Sequence, residues 1–233
     1  PYYPPKLAAT ADNELTIAVA QVREKSNLAK GLVRLAAAIE KYRPKGPEFY
    51  AELAQGYLAA GNMASALQFF EEASKRDPQS APLLTEWGDA LMQAGQWSAA
   101  EAKLRRATEI KPDDLRGWGR LGWALWQQNK AAEARAALEK GIALDAEVPE
   151  LHNNLGLVLL GSGDQAGAEK EFRAAIRIQP GIVEWRLTLA RLLASQGKTI
   201  SRVRVQDEPP TPYQQWERYV GAWNIAAGED IRY

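Results

Sequence analysis

Histidine occurs once in this chain of 233 residues, at His152, and cysteine does not occur at all. A serine triad, a histidine dyad or a histidine-pair metal site each asks for imidazoles that a single chain of this kind cannot supply. The lack of thiols removes disulfides, thiolate metal sites, covalent haem attachment and cysteine nucleophiles together, and leaves the redox compartment open. The paired carboxylates Glu71-Glu72 and Asp113-Asp114 are the next candidates for acid–base work, but the first falls on a helix surface and the second at a turn, so both read as solvated charge. The stretch Gly161-Ser-Gly163-Asp-Gln-Ala-Gly167 looks like a phosphate loop; it is one residue too long for the dinucleotide fingerprint and joins two helical patterns, not a strand and a helix. Arg105-Arg106 and the Arg202/Arg204 pair are the densest basic groups, and neither is interleaved with stacking aromatics. Lysine plus arginine and aspartate plus glutamate both total 29, so no net field draws in nucleic acid or anionic lipid. The expectation is a chain with no catalytic residue, no metal and no cofactor.

What remains is binding, and the elements that would position it follow from a period. Gly88, Gly122 and Gly156 stand 34 residues apart, with Ala54 and Ala190 in the same register. Ala66, Ala100, Ala134 and Ala168 form a second ladder, and Phe70, Leu104, Leu138 and Phe172 a third. Pro78, Pro112 and Pro180 close the units, with Ala146 in the remaining slot. Counting each unit from Pro47, Ala81, Leu115, Pro149 and Val183, an apolar or aromatic residue falls at position 4 or 7, a small one at 8 and another large one at 11, which is helical spacing. Glycine or asparagine then breaks the helix at Gly61-Asn62, Gly95, Asn129 and Gly163. A second helix follows in each unit, with small residues at 20 and 27 around a large one at 24, until proline at 32 stops it.

This pattern resembles the tetratricopeptide repeat family, over residues 47–196, and is read as that of a bacterial member. The resemblance implies an all-α fold: a right-handed α-solenoid of stacked helix-turn-helix repeats at 47–80, 81–114, 115–148 and 149–182, with the first helix of a fifth at 183–196. His152 stands where the family has an aromatic at position 4, so it reads as a packing residue. Residues 1–11 form a proline- and aromatic-rich extension and 12–46 a degenerate helical pair. Residues 197–212 read as an extended insertion, and 213–233 as a capping helix and tail, with Tyr213, Trp216, Val220 and Trp223 on one face. The longest strongly apolar run, Leu155–Leu160, is far short of the roughly 20 residues a membrane span needs. A start at Pro1, not methionine, suits a processed, exported chain or a trimmed one, and export is preferred.

By the same resemblance, positions 2, 5, 9, 12 and 13 of each first helix face a concave groove that holds a partner protein. Here they supply Leu58, Met92, Trp123, Trp126, Leu157 and Leu160, with Arg120, Gln127, Asn153 and Arg191 around them. Two tryptophans one turn apart among leucines are the composition of a peptide or helix docking site. The family's carboxylate clamp for chaperone tails is disfavoured: only Arg116 and Arg120 suit it, and Glu86 would repel a carboxylate. The leading function is therefore a non-enzymatic scaffold or adaptor. The alternative is self-assembly into an oligomer or filament through Tyr2, Tyr3, Pro4 and Pro5, or through the strand-like stretch containing Val203 and Val205.

Overall fold

In the computed structural model, residues 10–24 and 27–197 are described, and they form eleven α-helices and no strand. Tyr2, Tyr3, Pro4, Pro5, Val203, Val205, the Arg202/Arg204 pair and the helix expected from 213 lie outside the described residues. The chain divides into two compact units between Gln128 and Asn129.

The first unit holds α1 (Ala11–Arg23), α2 (Leu28–Tyr42), α3 (Glu48–Ala59), α4 (Met63–Arg76), α5 (Ala81–Gln93), α6 (Trp97–Ile110) and α7 (Leu115–Gln127). Side-chain caps start several of these helices. The Asn13 amide donates to Thr10 Oγ1, that of Ser65 to Asn62 Oδ1, and that of Leu83 to Ser80 Oγ. The hairpins α1/α2, α3/α4 and α5/α6 each pack along their length, and α7 lies on α5 and α6. Leu35, Leu53, Phe70 and Leu104 are fully buried, each such side chain contributing about 1.5–3 kcal/mol of transfer free energy. The small-and-large alternation has a direct cause: a Cβ built on Gly88 would lie 2.7 Å from Leu104 Cγ, so α5 and α6 approach only because position 8 lacks a side chain.

The second unit holds α8 (Ala131–Leu144), α9 (Pro149–Gly161), α10 (Gln165–Ile178) and α11 (Val183–Ser195). The same device recurs, with a Cβ on Gly156 falling 2.7 Å from the ring of Phe172, itself fully buried. The stretch that resembled a phosphate loop is the α9–α10 turn. Gly163 takes φ 86°, and Asp164 Oδ1 accepts from the Gly167 amide at 2.9 Å, so a carboxylate of the chain occupies the helix start where a phosphate would sit. On α11, Val183 and Leu187 remain exposed. Among the described residues no helix is long and apolar enough to cross a membrane.

Candidate protein-binding faces

The residues that first suggested chemistry are each engaged in holding the fold. His152 is buried; its Nε2 lies 2.9 Å from the Ala146 carbonyl and its Nδ1 2.6 Å from Glu171 Oε2. A carbonyl can only accept, so Nε2 carries a proton. The bond is one of a series: Tyr50 Oη donates to the Pro44 carbonyl at 3.2 Å and Trp118 Nε1 to the Pro112 carbonyl at 2.8 Å. In all three the position-4 ring ties its helix to the residue six places earlier, the last turn of the preceding repeat. His152 therefore does what tyrosine and tryptophan do in its neighbours, and its second nitrogen adds a bond to α10.

Glu71 and Glu72 are paired with Lys75, and Glu72 also with Arg76. The Lys75 ammonium first, and the Arg76 guanidinium second, hold the Glu72 carboxyl below the usual carboxylate range by hydrogen bonding. Asp114 caps α7 by accepting from the Arg116 amide. Arg105 is paired with Glu101 and Arg106 with Glu109, so the densest described basic pair is neutralised within its own helix.

On the first unit, the first-helix face runs over α3, α5 and α7, and a series of polar ties joins these helices. Arg23 of α1 pairs with Glu52 of α3; Gln55 of α3 donates to Glu86 of α5 at 3.2 Å. Asp89 of α5 then receives Arg116 Nη2 at 2.6 Å on Oδ2 and Arg120 Nε at 2.8 Å on Oδ1. Arg120 is thus a structural partner of Asp89, a pairing that composition and register did not reveal. Met92 is buried in α5 and offers little surface, while Leu58 is half-buried against the core of α1–α4. Trp123 and Trp126 are half-buried one turn apart on α7, with Gln127 exposed beside them. Trp87 is occupied in packing: it lies between two core clusters with Lys103 Nζ 3.8 Å above its ring.

On the second unit, Asn153, Leu157 and Leu160 are half-buried on α9 and Arg191 is exposed on α11. Leu160 and Arg191 meet, together with Thr188, Leu192 and Ser195, around an open cavity of about 330 Å³. Its two hydroxyls are spent on backbone, Thr188 on the Glu184 carbonyl at 2.9 Å and Ser195 on that of Leu192 at 2.7 Å. The cavity is left with leucine walls and one guanidinium.

Known proteins fit this geometry. The family described as the cilia and flagella-associated protein 70 C-terminal domain, a tetratricopeptide-repeat domain, matches residues 9–202. The chain belongs to this tetratricopeptide-repeat family. Such repeats generally mediate protein–protein interactions. Protein FlbA of Caulobacter vibrioides is 29% identical over 120 residues, covering 52% of this chain and 20% of that protein. The Hsp70-Hsp90 organizing protein of Triticum aestivum is 37% identical over 88 residues, 38% of this chain and 15% of its own length. Human tetratricopeptide repeat protein 7B is 24% identical over 163 residues, 66% of this chain and 19% of its own. The chain therefore spans a fifth or less of these relatives. Among solved structures, YrrB, described as "a TPR protein with an unusual peptide-binding site", has a TM-score of 0.67 at 20% identity, over 78% of this chain and 92% of its own. MamA from Desulfovibrio magneticus RS-1, residue 41 to its end, has the same TM-score and identity over 74% of this chain and 97% of its own. Both show the tetratricopeptide-repeat fold.

Proposed function

We propose that this chain acts without catalysis, as a protein-interaction scaffold whose two units each dock a short apolar or aromatic segment of a partner protein. In the first unit the docking side chains are Trp123 and Trp126, flanked by Gln127; in the second they are Leu157, Leu160 and Arg191, flanked by Asn153. The observation that carries the reading is the pair of half-buried indoles on α7. Large rigid aromatics give much contact area for little ordering entropy, and interface energy concentrates on such residues. The remaining candidates for chemistry support it from the other side, because His152, Glu71, Glu72 and Asp114 are all held by bonds within the fold. YrrB, with its printed peptide-binding site, is a precedent for peptide capture on a similar scaffold. The Hsp70-Hsp90 organizing protein is not taken as a guide to the partner, since Arg116 and Arg120 already hold Asp89.

The test is selection of a random peptide library on the intact protein, followed by affinity measurement on the Trp123→Ala/Trp126→Ala variant. Peptides that dock on the first unit should lose about tenfold or more in affinity, as truncation of a hot-spot aromatic does. Helical circular dichroism should be unchanged. Retention of full affinity by every selected peptide would remove the α7 tryptophans from the site.

A further inference from the structure

The contact between Asp89 and two arginines has the form of a recognition site that is already filled. Arg116 and Arg120 stand four apart on α7 and so project from one face. They meet Asp89 with one guanidinium on each carboxylate oxygen: Arg116 Nη2 donates to Oδ2 at 2.6 Å, and Arg120 Nε lies 2.8 Å from Oδ1 as an ion pair without hydrogen-bond geometry. The Asp89 side chain is 15% exposed, whereas those of Arg116 and Arg120 are 57% and 48% exposed. The cations are therefore open to solvent while the anion lies beneath them. Trp123 follows Arg120 by three residues on α7. Two guanidiniums converging on a carboxylate near an indole would recognise a carboxylate beside an apolar group if that carboxylate came from another molecule. Here α5 supplies it.

We infer that Asp89 is a built-in occupant that determines specificity: it closes the Arg116–Arg120 pair to carboxylates of a partner and leaves the α7 face to neutral, apolar segments. A carboxylate held on the neighbouring helix competes at an effective concentration on the order of millimolar or more, and an incoming one must also shed its water. Glu86, one turn earlier on α5 and accepting from the neutral Gln55, adds repulsion toward a second anion. The inference deepens the proposed function and rests on it for its biological meaning, but the occupancy itself can be measured without a natural partner.

The experiment uses the full chain and a fluorescein-labelled short peptide of neutral apolar residues with a free C-terminal carboxylate, beside its amidated twin. The unmodified protein should not distinguish the two. Asp89→Asn should bind the carboxylate form about tenfold or more tightly than the amide, the scale of one charge-assisted hydrogen bond, and the preference should shrink with added salt. Adding Arg116→Gln and Arg120→Gln to it should erase the preference. A merely structural staple would yield no such gain of binding. The inference is overturned if the unmodified protein already prefers the carboxylate form tenfold, or if folded Asp89→Asn shows no preference. Should Asp89→Asn not fold, Asp89→Ser is read in the same way, and the Arg120 Nε resonance of the unmodified protein decides independently: it should stay in place on adding the carboxylate peptide, and a shift overturns the inference. If instead the Trp123→Ala/Trp126→Ala variant keeps its library peptides, the docking reading fails while the Asp89→Asn preference stands.

Discussion

Replacing His152 by phenylalanine tests whether the position-4 ring is held by shape or by its hydrogen bonds. The residue is 8% exposed, and phenylalanine fills most of its volume, so the loss is polar. Removing the Nε2 donor leaves the carbonyl of the exposed Ala146 to water, a loss of about 0.5–1.5 kcal/mol, the net worth of an ordinary hydrogen bond. Removing Nδ1 takes from Glu171, 12% exposed on its side chain, the partner that lay 2.6 Å away. Leaving a polar group without its partner costs about 1–3 kcal/mol, and Lys170 Nζ at 3.8 Å with some access to water places this loss toward the lower end. The gain in apolar burial offsets part of the remainder, so His152→Phe should destabilise the second unit by about 1–3 kcal/mol. Urea unfolding followed by circular dichroism would read it, with the fluorescence of Trp185 on α11 as a probe of that unit because repeat arrays need not unfold in one step. His152→Tyr, which restores the kind of tie that Tyr50 makes, should recover part of the loss, and adding Glu171→Gln more. A His152→Phe protein within about 0.5 kcal/mol of the parent, the range of ordinary surface substitutions, would refute the reasoning.

Two further outcomes follow from the packing and the surface charge. Gly156→Ala puts a methyl group 2.7 Å from the buried Phe172 ring, so overpacking of about 1–3 kcal/mol should outweigh the gain of roughly 0.5–1 kcal/mol in helix propensity; a stabilised variant in thermal unfolding would contradict this. Lys75→Met removes the leading cause of the low Glu72 carboxyl, so the Glu72 titration followed by carbon NMR should move up toward the ordinary carboxylate value, with Arg76 retaining part of the effect. Because the folded value is depressed, the stabilisation is fully present above the unfolded carboxyl value of about 4.3 and disappears as pH falls through the lower folded one. An unmoved titration would remove Lys75 as the cause.

The repeat itself was readable because its packing partners lie within one hairpin and recur with it. Gly88 faces Leu104 and Gly156 faces Phe172, each sixteen residues apart in sequence, so one steric rule leaves the same mark in successive units. The break at Gly163 was equally local. Polar partners, within a hairpin or from one hairpin to the next, were hidden. His152 was identifiable as a packing residue, yet Glu171 looked like any solvated carboxylate on a helix, and Arg116 with Arg120 looked available to a partner. A ladder read at 34 residues cannot see the arginine pair's partner, because the ties between first helices do not fall on that period. Gln55 reaches Glu86 and Asp89 reaches Arg120, and both steps are 31 residues, from position 9 of one unit to position 6 of the next. Complementary side chains at that offset are the signal that would have found the filled arginine pair. In the second unit the same step leads from Leu157 to Thr188, whose hydroxyl is spent on the Glu184 carbonyl, so no polar tie forms there. The first unit therefore closes its first-helix face with charge up to α7, whereas the second presents leucine and one arginine. The two faces should accordingly select different segments, a neutral aromatic-binding one and an apolar one that can offer Arg191 an acceptor.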